Sequence, residues 1–147
     1  MPDRRFPQKW KEAFAQWHYR SVGRHEKPRG GRILCYHNVS PDEASSFAAQ
    51  LDFLCAEYDA LPLSRFLSSL GTASARPPLA ITFDDGYRDN YEVAFPLLRR
   101  AGVSAAFFVV SGVRAQTAAE RAAAPEPETG GWSPRLFMTW EELREMV

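Results

Sequence analysis

Only two cysteines, Cys35 and Cys55, occur in 147 residues, and they do not form a CxxC pair. That excludes a disulfide framework and a structural zinc site built on thiolates, and both cysteines are expected to be reduced core residues. Missing too is any run approaching the ~20 consecutive apolar residues of a membrane-spanning helix. The start, MPDRRFPQKWKEAFAQW, lacks the apolar stretch of a secretory signal, so the expected location is the cytoplasm or the inner membrane surface. Net charge is also absent, with 18 basic residues against 18 acidic ones, which gives no general reason to expect a nucleic-acid partner.

What is present is core material. A chain with 45% hydrophobic and 13% aromatic residues is globular rather than disordered or collagenous. Its charge is uneven: residues 1–32 carry nine Lys and Arg against Asp3, Glu12 and Glu26, leaving that arm at +6 (9 − 3) and the remainder at −6 (9 − 15). Trp10, Phe14 and Trp17 follow an i, i+4, i+7 pattern, the spacing of a short basic amphipathic helix. Such a helix either makes peripheral contact with an anionic membrane surface or docks its aromatic stripe on the parent domain. The chain is thus divided into an arm, 1–32, and a domain, 33–147; His18 and His25 in the arm are expected to be solvent-exposed.

Past the Pro/Gly-rich KPRGGR, ILCYHNV (33–39) has strand length and ends in polar residues. Ser40, Pro41 and Glu43 then supply an N-cap, a first helical residue and a capping box, and Phe47, Leu51, Leu54 and Tyr58 continue at helical spacing. A short extended piece at 60–63 leads to a small helix near SRFLSSL, ended by Gly71. LAITF is the next strand, YEVAFPLLRRAG a helix stopped by Gly102, and VSAAFFVV a third strand; Pro96 predicts a kink or a late helix start. Nearly all-apolar strands alternating with helices predict an α/β fold with a parallel sheet covered by helices. Residues 111–137 form a long loop, of the kind that is functional or mobile, with a turn or two of helix in its alanine-rich part. Thr139 and Glu142 make a second capping box at the start of TWEELREMV.

The residues that carry chemistry lie in LAITFDDGYRDN. Neighbouring side chains on a strand point to opposite faces, so Asp84 and Asp85 can share a site only where the strand has ended and the backbone turns. Gly86 supplies that turn. The pair then sits at the C-terminal edge of a parallel sheet, where α/β folds keep their ligand sites. Two adjacent carboxylates repel unless a cation or donor relieves them, and a divalent metal would leave one as ligand and the other as proton acceptor. One aspartate would suffice as a helix cap. His37 ends its own strand at the same sheet edge, with Cys35 on its face by alternation, and is expected to orient the site rather than to bind metal itself.

ITFDDGYRDN, with LCYHNVS upstream and FMTWEELREMV downstream, resembles the N-terminal half of a polysaccharide deacetylase, the NodB-homology family of carbohydrate esterases. The resemblance covers residues 33–147. It implies a partial, distorted (β/α) barrel of the NodB type that ends after about three parallel strands, and metal-dependent removal of acetyl groups from an N-acetylated polysaccharide or oligosaccharide. By motif, Asp84 corresponds to the general base and Asp85 to a ligand of a divalent metal, zinc above others. The HSxxH-type segment that supplies two histidine ligands in the family does not occur in these 147 residues, so the chain alone is expected to bind metal weakly and to lack appreciable activity. A non-catalytic carbohydrate-binding or assembly module with the same half-barrel is the alternative. A flavodoxin-like phosphotransfer domain is disfavoured, because no lysine follows Lys27.

Overall fold

In a computed structural model, the protein is described over residues 30–127 and 131–147. The expected amphipathic helix of the basic arm, and with it His18 and His25, lies outside the described residues.

Four strands form one parallel sheet. Strand β1 (Arg32–Tyr36) runs beside β3 (Pro78–Phe83) along its length, with Leu34 opposite Ile81, Cys35 opposite Thr82 and Tyr36 opposite Phe83. On the other edge of β3, the two-residue β2 (Asp59–Ala60) pairs with its start and β4 (Ala105–Phe107) with its end. The apolar pattern predicts three strands, with 60–63 only a short extended piece. The structure gives that piece a short rung, because the amide of Leu61 donates to the Leu79 carbonyl at 2.8 Å.

Helices α1 (Ala44–Glu57), α2 (Leu63–Ser69) and α3 (Phe95–Ala101) connect the strands. Helix α1 is entered through a 3-10 turn at Pro41–Glu43, where the Glu43 carboxylate accepts from the Ser40 amide at 3.0 Å and from its hydroxyl at 2.8 Å. Its periodic residues Phe47, Leu51 and Leu54 are buried against Leu79, Ile81 and Phe83 of β3 and Leu98 of α3. Rings interlock here: Tyr36 meets Phe47 edge-on at 5.3 Å, and Phe83 stacks between Tyr36 at 5.3 Å and Phe107 at 4.9 Å. Since Phe83 is fully buried, its removal from water alone contributes about 2–3 kcal/mol.

Pro96 has the effect its position predicts. Residues Asn90–Ala94 form a π-helical turn, and the regular helix begins only at Phe95, with proline in its first turn where no amide is needed. Gly102, at φ 67°, ends α3 in the left-handed conformation. The segment from 111 is less loose than its composition predicts. It contains a 3-10 turn at Ser111–Val113, helix α4 (Ala118–Ala123) and a second 3-10 turn at Pro134–Leu136, and it leads into α5 (Trp140–Glu145). The Thr139–Glu142 capping box opens α5, with bonds of 3.2 and 2.8 Å. No helix of the described residues is long and apolar enough to cross a membrane.

Candidate active site

The site is built where β1 and β3 end together. The amide of Asp84 donates to the Tyr36 carbonyl at 2.8 Å, carrying the ladder one residue past the last named pair. By alternation Tyr36 and Phe83 turn to the helix-covered core, while Cys35, Thr82 and Asp84 share the opposite face. The Cys35 thiol donates to Asp84 Oδ2 at 3.2 Å. Ligand atoms of Cys35, His37 and Asp84 all lie within 4.8 Å of one another. Cys35 is exposed rather than a core residue, because its face lies away from the α1 and α3 packing.

Asp85 leaves the strand in an unusual way. It is the one non-glycine described residue with positive φ, at 63°, and the Gly86 amide closes a three-residue turn on the Asp84 carbonyl at 2.7 Å. A conformation of this kind costs a β-substituted residue on the order of 1–3 kcal/mol and persists only where its surroundings hold it. Without the turn, adjacent side chains would face opposite ways. With it, both carboxylates act on the Cys35 thiol, whose pKa is raised first by the hydrogen bond to Asp84 and, further down, by the charges of Asp84 and Asp85. No hydrogen bond or ion pair with a described residue engages the Asp85 carboxylate.

What holds the turn is Arg114. Its guanidinium is buried and donates to three backbone carbonyls: Asp85 at 2.6 Å, Gly86 at 3.0 Å and Met138 at 2.8 Å. It also lies 5.4 Å from the centre of the Phe137 ring. Burial lowers its pKa, and the nearby charge of Glu142 opposes that shift. Gly86 is matched to this clamp. It sits at φ +69°, and a Cβ there would come within 2.3 Å of Arg114 Nη2 and 2.8 Å of Val109 Cγ1. A second arginine fastens the far side of the loop: Arg121 Nη1 lies 2.6 Å from Glu142 Oε2, both side chains being largely buried. Main-chain bonds from Met138 to Gly86 at 3.1 Å and from Trp140 to Ala115 at 3.1 Å complete the seam.

The polar tail of the motif has its own task. Asn90 is fully buried, and with its amide nitrogen turned inward it donates to the His37 carbonyl and to Asp89 Oδ1, each at 3.1 Å. Asp89 accepts from the Val39 amide while burial pushes its pKa up. The two residues therefore fix the backbone on which His37 is carried. The structure brings Cys35, His37 and Asp84 into one group and leaves Asp85 beside it. Arg114 and the Asp89–Asn90 pair were not singled out by the sequence, which offers no periodic or motif signal for a buried arginine inside SGVRAQ. Trp132, 58% exposed, stacks on Phe137 at 5.4 Å, which in turn stacks on Tyr87 at 5.4 Å.

Residues 72–147 match the family model described as polysaccharide deacetylase. The putative polysaccharide deacetylase YxkH of Bacillus subtilis (strain 168) is 32% identical over 93 residues, covering 58% of this chain and 33% of that protein. Among solved structures, IcaB from Ammonifex degensii is similar with 28% identity and a TM-score of 0.59, over 80% of this chain and 48% of that one. The BpsB deacetylase domain from Bordetella bronchiseptica has 27% identity and a TM-score of 0.52, over 78% and 49%. A Streptococcus pyogenes deacetylase, PplD, solved in complex with acetate, shares the fold at 24% identity and a TM-score of 0.57, over 78% of this chain and 50% of that one. The chain thus spans a third to a half of the length of these relatives.

Proposed function

Because the chain belongs to the polysaccharide deacetylase family, we propose that residues 33–147 supply the base-bearing edge of a metal-dependent site that hydrolyses N-acetyl groups on a carbohydrate polymer. The observation that carries this reading is the strained turn at Asp85, at φ 63°, clamped by Arg114 beside Asp84. Positive φ is uncommon for a residue other than glycine, and such strain clusters where chemistry is done.

Asp84 is the general base. Its carboxylate stands at the sheet edge, partly exposed, where it can accept a proton from a water molecule placed against the acetamide carbon. Asp85 is a ligand for a divalent ion, zinc being preferred. An ion fits this edge: the Asp85 carboxylate has no partner among the described residues, and two adjacent carboxylates are relieved by a cation. Bound there, such an ion supplies Lewis acidity to the acetamide carbonyl and to water. Arg114 acts on neither carboxylate; it fixes the carbonyls of the turn and so the direction in which Asp85 points. The exposed face of Trp132 offers a stacking surface for a sugar ring. These 147 residues by themselves offer one carboxylate to that catalytic ion, so little acetate release is expected from them alone.

The test is acetate release from an N-acetylglucosamine oligomer by the protein that carries this chain. Asp84→Asn is expected to lower kcat by 10²-fold or more while the ion held through Asp85 is kept. Asp85→Asn is expected to lose metal. Full activity in Asp84→Asn would overturn the assignment of the base, and unchanged metal content in Asp85→Asn would overturn the assignment of the ligand.

A further inference from the structure

The group formed by Cys35, His37 and Asp84 is not used by this reaction beyond the carboxylate of Asp84. Two of its members are a thiol and an imidazole, and neither serves the packing of the core. Its three ligand atoms come from the ends of two adjacent strands and lie within 4.8 Å of one another. Sγ and Oδ2 are already 3.2 Å apart. In a tetrahedral site with bonds of about 2.0–2.3 Å, ligand atoms stand roughly 3.5 Å from one another, so side-chain rotations of about 1 Å would close the group around an ion.

We infer that Cys35, His37 and Asp84 form a thiolate-containing cation site of their own, distinct from the position of Asp85, that takes a soft or borderline divalent ion. Sulfur, nitrogen and oxygen donors together select zinc, cobalt or cadmium over magnesium or calcium. Three protein ligands leave the fourth position to water. His37 stands on a fixed stretch of backbone, because fully buried Asn90 donates to its carbonyl at 3.1 Å. On binding, the Sγ–H···Oδ2 hydrogen bond is replaced by one metal–sulfur and one metal–oxygen bond, and the thiol proton passes to solvent.

One consequence rests on the assignment of Asp84 as base. With an ion on its carboxylate, Asp84 is not available to accept a proton, so filling the thiolate site silences the reaction. The site is inhibitory.

Cobalt(II) titration of the 147-residue chain tests the site independently of any activity. A near-ultraviolet sulfur-to-cobalt charge-transfer band is expected, saturating at one equivalent, displaced by zinc and untouched by magnesium. Cys35→Ser is expected to abolish the band, Cys55→Ser to keep it, and His37→Ala to weaken binding by 10-fold or more; His37→Asn replaces it if far-UV circular dichroism shows the alanine variant unfolded. Absence of the band in the wild-type chain, or its survival in Cys35→Ser, would overturn the site. In the protein carrying this chain, acetate release should fall as zinc is added beyond its catalytic equivalent, and Cys35→Ser should shift that fall to at least 10-fold higher zinc. A cobalt band in a protein that releases no acetate leaves the cation site standing and counts against the deacetylase reading. A zinc response identical in Cys35→Ser and wild type refutes the inhibitory role.

Discussion

The Gly86→Ala variant isolates the device that presents the acidic pair. Two costs can be separated. At φ +69° an alanine pays about 1 kcal/mol for the left-handed backbone. Its Cβ would also stand 2.3 Å from Arg114 Nη2, so the guanidinium has to withdraw. A surface arginine would do so freely, but this one is buried and bonded to the Asp85, Gly86 and Met138 carbonyls. Giving up one charge-assisted bond of this kind costs about 1.5–3 kcal/mol. Gly86→Ala is therefore expected to destabilise by about 2.5–4 kcal/mol, a large part of the stability of a domain this size.

A double-mutant cycle with Arg114→Met decides whether the second cost is real. The methionine keeps much of the volume, lacks the donors and ends in a group that can swing aside. In that background Gly86→Ala keeps its backbone cost and its contact with Val109 Cγ1 and is relieved only of the arginine clash, a coupling of about 1.5–3 kcal/mol. Urea unfolding followed by far-UV circular dichroism measures all four corners. An equal cost of Gly86→Ala in both backgrounds would refute the clamp, leaving the glycine required for its backbone angle and its contact with Val109.

Glu142→Ala removes the partner of buried Arg121 and half of the α5 capping box, and should cost about 3–5 kcal/mol in urea unfolding; a loss below 1 kcal/mol would show that the pair is solvated. Asp89 supplies a pH signature. Burial raises its folded pKa above the usual value of about 3.9, so the unfolded chain loses this proton first as pH rises. Stability therefore falls from pH ~4 upward through the raised value and then levels, relative to Asp89→Asn, which does not titrate. A wild-type minus variant difference that is flat with pH, or that grows in the wild type's favour, would contradict the shift.

How much of this was legible in the sequence depends on the range of the interactions. Elements set by local chemistry were readable: capping boxes at Ser40 and Thr139, glycine stops after α2 and α3, and the displaced start of α3 at Pro96 all follow from neighbours within a turn. Apolar strands between helices gave the parallel sheet, and TFDDG marked its edge. Burial of individual side chains was less accessible. Cys35 looked like core because cysteine usually is, yet alternation had already put it on the face of His37 rather than that of Tyr36. That clue was present and outweighed by composition. Arg114 left no such clue. Its partners are main-chain carbonyls at 85, 86 and 138, and a carbonyl belongs to every residue type, so no pattern of letters marks where a buried guanidinium finds three of them.

That difference bears on how the two acids divide their work. Asp84 is held by the sheet, through a ladder bond to Tyr36, and its direction follows from strand alternation. Asp85 is held by the loop, through Arg114, in a conformation the chain would abandon if released. Perturbing the seam between 111 and 139 should thus redirect Asp85 while leaving Asp84 and its contact with Cys35 in place. The cobalt band assigned to Cys35, His37 and Asp84 should survive in Arg114→Met, whereas metal held through Asp85 should be weakened. If both were lost together, the two carboxylates would belong to a single site, and the separation of a sheet-borne acid from a loop-borne one would be wrong.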